Sequence, residues 1–558
     1  MLKKFTQFIN RLILSPEASV NLGELLVKEK EEIKSRRNAN GFSTKLNEDS
    51  IGIALSGGGI RSSTLCLGIL KSLNEIDILR KTDYLSSVSG GGYIACFIHA
   101  YLHVHQHDLN KYETVFSDSN IQHLRDSRQH LYVLPQYKWL SRMIIVITFI
   151  LAFLFNWLWL IIPVILFVRF DISGIILFVI AALLSILISP NFTSLHSYYK
   201  YSLSKAYLWF NRKIKLSTLA KSTGPYPLIN ATIHVNQDDY DSSNIVSYRG
   251  KINSNYFLYS PLYIVIQVTK FVNSDKHTFK NTTLARAMTT SGAALSTFMG
   301  YEHKSFLLRW LLVLLNVRTG ILSPNPLLKY NSPALWPYYT AKEILGKANT
   351  TTARVQVSDG GHIENLAIYE LLRRKVKLIF AIDAGQDPNF EFRDLKNLII
   401  RAQNELGAII SFDEANNPST VIKPNLINGN STNHFCIATI SGIKGSYAAG
   451  YDGILVYIKS SILHKKEFKL RKLKRQIQQI DTKADVEESL KRELNKVMYR
   501  TYTPDFPHQS ITNQFFTSEQ WDAYYELGES IGDVLKDNFN FDKNDSKSEL
   551  NNKVKLRF

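Results

Sequence analysis

Cysteine is scarce: Cys66, Cys96 and Cys436 are the only three in 558 residues, odd in number and widely spaced. That excludes a disulfide framework and any paired-cysteine zinc site, and it fits buried, reduced thiols in a reducing compartment. Neither G-x-G-x-x-G nor G-x-x-x-x-G-K-[ST] occurs, so the standard nucleotide cradles are missing. Met1–Ser15 carries Lys3 and Lys4 but no unbroken apolar region and no small-residue cleavage site, so no secretory signal peptide is expected. Acidic residues are outnumbered 48 to 66, giving a formal net charge of +18. Such a balance calls for an anionic membrane surface or nucleic acid, and no nucleic-acid motif is present. A hydrophobic content of 45%, with 12% aromatic, excludes wholesale disorder. The length allows two or three domains, or one elaborated catalytic domain.

The informative stretch is Ile51–Tyr101. Ile51–Leu55 is a short apolar run of the kind a buried parallel strand shows. Gly57, Gly58 and Gly59 follow, then a predicted helix with Cys66, Ile69, Leu70 and Leu73 on one face. Asp83–Val88 reads as a second strand, and Ser89 stands at its end before Gly90, Gly91 and Gly92 and a helix over Tyr93–Tyr101. A serine where a strand turns sharply into a helix is a nucleophile elbow: small neighbours permit the turn, and the turn lifts the hydroxyl clear of the sheet. Ser87 holds the place usually taken by glycine. The glycine loop offers backbone N–H groups at a helix start, suited to a developing oxyanion. Arg61 can hold that loop or neutralise a phosphate. Ser86 and Ser87 lie on the strand itself, and Ser56 caps or orients the loop.

GGGIR followed by VSGGGY resembles the patatin-like phospholipase family, in its larger bacterial, membrane-associated branch. A distant Ser358-Asp359-Gly360-Gly361-His362 matches the Asp-Gly-Gly of that family. The likeness continues through Glu364-Asn365-Leu366 and Ile379–Gly385 to Pro504–Ser510, and covers most of the chain outside residues 139 to 215. It implies a three-layer α/β fold with a mainly parallel central sheet and a serine–aspartate dyad of Ser89 and Asp359. It further implies an oxyanion hole from Gly57, Gly58 and Gly59, support from Arg61, Gly91, Gly360 and Gly361, and no cofactor or metal. Independently, the alternation of strands at Val355–Val357 and Leu378–Ile382 with an intervening helix from Ile363 argues for α/β.

Met143–Val168 and Ile172–Ser189 are almost wholly apolar. As helices of about 26 and 18 residues they reach roughly 39 and 27 Å, against about 30 Å of hydrocarbon. Lys138 and Arg142 precede the pair, and Lys200, Lys205, Arg212, Lys213 and Lys215 follow it. The expectation is a transmembrane helical hairpin with both ends in the cytoplasm, two crossings keeping Ser89 and Asp359 on one side. Alternatives are a hairpin lying in the interface or a buried helical pair. The expected location is the bacterial inner membrane, with the catalytic domain facing the cytoplasm.

The predicted organisation is an N-terminal helical segment (1–50), a first catalytic half (51–138), the hairpin (139–215), a second catalytic half (216–460), a helical and basic extension (461–539) and a disordered tail (540–558). Pro227–Val235 and Tyr263–Val268 read as strands. Phe306–Leu315, apolar but short, suits an interfacial or a core helix. Lys465–Arg475 holds seven basic residues against one acidic, either a solvated face or a contact with anionic lipid. His103, His105 and His107 alternate in a polar loop rather than in a metal site.

The expected function is a lipid acyl hydrolase of phospholipase A or lysophospholipase type, with membrane phospholipid as substrate and the bilayer as partner. Asp359 takes the Ser89 proton, and an acyl-enzyme follows. The order Ser89, Asp359, His508 also matches an α/β-hydrolase triad. Asp383 is a rival base, and His362 an orienting or structural residue. The reading from another class is a non-catalytic membrane module that binds lipid or nucleotide in the glycine loop.

Overall fold

The computed structural model describes residues 22–132, 137–170, 173–187, 190–235, 254–266, 270–274, 279–297, 306–328, 336–347, 352–425, 429–463, 503, 505–510 and 513–557. The basic run Lys465–Arg475 lies outside them. Their strands, in chain order, are β1 (Ile51–Leu55), β2 (Tyr84–Val88), β3 (Tyr226–His234), β4 (Ser254–Tyr259), β5 (Tyr263–Ile266), β6 (Lys270–Asn273), β7 (Ile321–Pro324), β8 (Arg354–Asp359), β9 (Leu378–Asp383), β10 (Ala408–Phe412), β11 (Phe435–Gly442) and β12 (Asp452–Lys459). The chain divides into two compact units, one of residues 1–29, 130–220 and 229–363, the other of 30–129, 221–228 and 364–558.

The second unit carries the sheet order β10-β11-β12-β9-β1-β2. β1 pairs in parallel with β2 and β9, Ile53 opposite Leu85 and Phe380. Every residue of β1, β2 and β9 is buried, as expected of parallel strands covered on both faces. β9 and β12 are also parallel, but β11 runs antiparallel to both of its neighbours, β10 and β12. The sheet is therefore mixed rather than mainly parallel, antiparallel neighbours such as β11 and β12 needing no crossover helix between them.

Two helices cross over this sheet at backbone contact. A Cβ at Gly68 of helix Gly59–Asn74 would lie 2.1 Å from the Tyr525 carbonyl oxygen, and one at Gly528 of helix Ser518–Phe539 would lie 2.3 Å from that of Leu65. Glycine on both helices lets the two axes approach that closely. Residues 518–539 thus belong to the core, not to an appendage. The end of the chain, expected to be disordered, forms helix Lys547–Lys555, opened by a capping box between Ser546 and Glu549.

In the first unit all pairings are antiparallel: β3 pairs β4 and β8, β4 pairs β5, β5 pairs β6 and β8 pairs β7. The two apolar runs form helices Lys138–Phe170 and Gly174–Leu187. Exposed apolar side chains along them include Met143, Ile150, Val164, Phe167, Ile175 and Phe178. Yet among the described residues no helix is long and apolar enough to cross a membrane. The second helix, with 14 residues, reaches only about 21 Å. The middle of the first helix is moreover tied to protein: the Trp157 indole donates to the Leu314 carbonyl at 3.1 Å. The expected pair of crossings is therefore unsupported. Leu314 closes helix Phe306–Leu314.

Candidate active site

The elbow forms where β2 ends. Val88 is extended at φ −140° and ψ 141°, and the helix Ser89–Val104 starts with the next residue. Ser89 takes φ +50°, a left-handed conformation that costs a non-glycine residue about 1–3 kcal/mol and recurs at functional sites. The glycines after it let main chains touch: a Cβ at Gly90 would sit 2.0 Å from the Gly59 carbonyl oxygen and 2.6 Å from its nitrogen. The Gly91 amide donates to the Ser56 carbonyl at 3.1 Å. Ser87 is an ordinary buried strand residue opposite Leu55, so no glycine is needed there.

The glycine loop is held from several sides. Gly58 and Gly59 take φ +144° and +61°, conformations open to glycine. Ser56 anchors the loop entrance: its amide donates to the Ile382 carbonyl at 3.1 Å, and its hydroxyl accepts the Ala384 amide at 2.7 Å. The Gly57 amide donates to the Asn365 carbonyl at 2.9 Å. That leaves Gly58 and Gly59 at the start of a 16-residue helix whose dipole favours negative charge. Arg61 is buried; its Nε donates to the Ala384 carbonyl at 3.0 Å and its Nη1 to that of Gln509. Burial pushes this guanidinium below its ordinary range.

Asp359 closes β8 in the first unit. Its side chain is buried, and Oδ1 accepts the Gly361 amide at 2.7 Å. Gly360 and Gly361 form the tight turn that follows. Beside it, the Ser358 hydroxyl bridges His362 Nδ1 at 2.8 Å and His234 Nε2 at 2.7 Å. Ser89 and the glycine loop belong to one unit and Asp359 to the other.

Asp383 is locked. Oδ2 accepts the Tyr457 hydroxyl at 2.5 Å and Lys459 Nζ at 2.7 Å, and Oδ1 accepts the Gly385 amide at 2.7 Å. Burial pushes its carboxyl up, but Lys459 and these donors outweigh it and hold the group below the usual range. A carboxylate so engaged is a poor base for a serine. His508 accepts the Asp387 amide on Nδ1 at 3.3 Å and sits edge-on to Phe390, ring centres 4.7 Å apart. Burial lowers its pKa to about 3, so it stays neutral. A cavity of about 310 Å³ is lined by Asp383, Gly385, Phe392, Asp394 and Lys459, among others. Tyr457 and Lys459 had no motif to announce them, and Asn365 stood only within the Glu364-Asn365-Leu366 likeness, with no role attached. Among the described residues no group of three or more His, Cys, Asp or Glu is placed to hold a metal ion.

A strained serine between a sheet and a helix, beside a glycine loop, sits here in a mixed α/β fold. Searches found no matching family model and no matching curated protein. Among solved structures, human GIVD cytosolic phospholipase A2 is similar, with a TM-score of 0.52 at 12% identity over 97% of this chain and 68% of that one. The same protein in complex with methyl gamma-linolenyl fluorophosphonate gives 0.48 at 14% identity, over 98% and 67%. The first of these establishes a shared fold.

Proposed function

We propose that this chain is a lipid acyl hydrolase of phospholipase A or lysophospholipase type, with Ser89 as nucleophile and Asp359 as its base. The observation that carries the reading is the strained Ser89 at φ +50°, with Gly90 in backbone contact with Gly59 of the glycine loop. Likeness of fold to a cytosolic phospholipase A2 supports the substrate class.

In the proposed reaction Ser89 Oγ attacks an acyl carbonyl carbon and its proton passes to the Asp359 carboxylate. The oxyanion is met by the Gly58 and Gly59 amides, each such donor being worth about 2.7–4 kcal/mol of barrier. The ester C–O bond breaks, the proton goes to the departing alcohol or lysophospholipid, and an acyl-serine remains. Water, deprotonated by Asp359, then releases the fatty acid and restores Ser89. The carboxylate needs partial desolvation to act as base, and the Asp359 side chain is buried.

The apolar helical pair, with Lys138, Arg142, Lys200 and Lys205 around it, brings the enzyme to the bilayer at the cytoplasmic face of a bacterial inner membrane. A cysteine placed at Ser173, in the connection between the helices, tests depth. Labelling of it from the periplasmic side means crossing, and protection from that side means residence in the near leaflet.

The test of the chemistry is fluorophosphonate labelling together with mass spectrometry of lipids from defined liposomes. Wild type labels and releases fatty acid, and Ser89→Ala does neither. A folded, detergent-solubilised wild type that takes no label would instead support a lipid-binding module without catalysis.

A further inference from the structure

Arg61 is a buried cation held by main chain. Its Nε donates to the Ala384 carbonyl at 3.0 Å and its Nη1 to the Gln509 carbonyl. Nη2 has no acceptor among the described residues and lies 3.4 Å from where a Cβ on Gly58 would stand. The guanidinium therefore lies beside the turn that orients the Gly58 and Gly59 amides. Where it sits depends on where the two carbonyls sit.

One of those carbonyls is fixed by β9 and its exit loop. The other belongs to the segment 505–509, which is itself tied down at three points. The Gln509 side-chain oxygen accepts from Gln520 Nε2 at 2.8 Å and from the Tyr524 hydroxyl at 3.1 Å, both on the long helix Ser518–Phe539. Phe506 packs on the Tyr524 ring with centres 4.8 Å apart. His508 Nδ1 accepts the Asp387 amide at 3.3 Å in the loop after β9. This stretch contributes no nucleophile and no base, yet it is wired to the glycine loop through one side chain.

We propose that residues 505–509 are the positioning element of the oxyanion loop, holding the Arg61 guanidinium through the Gln509 carbonyl so that the Gly58 and Gly59 amides keep their aim. The assignment rests on the hydrolase reading above. Arg61 and Gln509 are positioning residues, acting on the reaction through the loop rather than on the substrate.

The experiment measures fluorophosphonate labelling rate, kcat and KM for lipid hydrolysis, and Tm on the full chain. It compares Arg61→Lys, Gln509→Ala, the double variant and Tyr524→Phe. Arg125→Ala is the control, because Arg125 pairs with Asp522 on the same long helix at 2.6 Å without touching 505–509. Arg61→Lys keeps the charge and loses the fork; Gln509→Ala frees the segment from Gln520 and Tyr524. Each lowers kcat and labelling rate about 10-fold or more, with KM within about twofold, the pattern of a lost transition-state contact. The double variant is little worse than either single one, since both act through one contact. Tyr524→Phe, which keeps the ring against Phe506, shows a smaller loss of about threefold and covers the case in which Gln509→Ala does not fold. Arg125→Ala stays near wild type in kcat. Wild-type kinetics in Gln509→Ala or Tyr524→Phe, additive losses, or an equal loss in Arg125→Ala at matched Tm overturns the proposal alone. A wild type that takes no label overturns the hydrolase reading and this proposal with it.

Discussion

The Gly57 amide donates to the Asn365 carbonyl at 2.9 Å. Of three consecutive glycines, the first is thus spent on holding the loop to the segment before helix Tyr369–Arg373, so the proposed oxyanion hole rests on the next two. The loop and the elbow also share one tight contact, since a Cβ at Gly90 would collide with main-chain atoms of Gly59 at 2.0 and 2.6 Å. Backbone atoms cannot swing aside as a side-chain tip can. Gly90→Ala is accordingly expected to abolish fluorophosphonate labelling and lower Tm by several degrees, as an overpacking cost of about 1–3 kcal/mol implies. Gly174→Ala, with nothing within 4 Å of the added Cβ, is expected to leave both unchanged.

Two aspartates end strands, and their substitutions separate cleanly. Asp359 Oδ1 accepts the Gly361 amide, a bond that the carbonyl oxygen of asparagine can also accept, so Asp359→Asn is expected to fold with a Tm near wild type and to lose hydrolysis. Asp383 is the buried partner of Lys459 at 2.7 Å, both side chains nearly inaccessible. Removing one member of such a pair costs about 3–5 kcal/mol, so Asp383→Asn is expected to be strongly destabilised. Activity retained in Asp359→Asn would remove the dyad; thermal melts of both variants read the contrast.

The local signals around Ser89 were legible because everything they need lies within a few residues. A short apolar strand, three glycines and a helix specify the loop, and a serine followed by glycines specifies the elbow. What escaped was pairing over long separations. Nothing at Arg61 points to Gln509, nothing at Gly68 to Gly528, and nothing at Gly57 to Asn365, because those contacts exist only once the helices and strands have docked. The antiparallel β10–β12 set was hidden for the same reason: strand direction is a property of connections, not of composition. Helix Lys547–Lys555 reads as tail from its polar composition, although Ser546 and Glu549 stand at capping-box spacing. The apolar runs at 143–168 and 172–189 did announce helices, but not that Trp157 would find a protein carbonyl.

Glu364 gives the stability a pH dependence of known sign. Burial raises its pKa to about 7, against the opposing pull of the Leu366 and Tyr369 amides it accepts. A carboxyl raised from 4.5 to about 7 favours the protonated form in the fold, so its contribution is complete below pH ~4.5 and is lost as pH rises through about 7. The loss is at most about 3 kcal/mol. Glu364→Gln, which cannot ionise, is expected to gain on wild type between pH 4.5 and 7 and to hold a constant difference above. Parallel Tm curves for the two proteins across that window would show that Glu364 is not the group responsible.

Asp83 gathers the two ends of the second unit. Its carboxylate takes Arg37 through both oxygens at 2.7 Å, the Ile51 amide at 2.9 Å and Lys547 Nζ at 2.6 Å. Burial presses the Lys547 ammonium down to about 8, outweighing the attraction of Asp83. A lysine lowered from 10.5 contributes its share above the unfolded value and loses it as pH falls through about 8, so at neutral pH its charge is a burden that the ion pair only partly offsets. Lys547→Met, which keeps the buried stem and drops the charge, is therefore expected to stay within about 1–2 kcal/mol of wild type at pH 7 and to gain on it as pH falls from 10.5 to 8. Asp83→Asn leaves Arg37 and Lys547 buried with Asp49 as the remaining carboxylate of the cluster, and is expected to lose about 3–5 kcal/mol. Equal denaturation midpoints for the two variants would mean that Asp83 counts for no more than Lys547 in holding the last helix to the sheet.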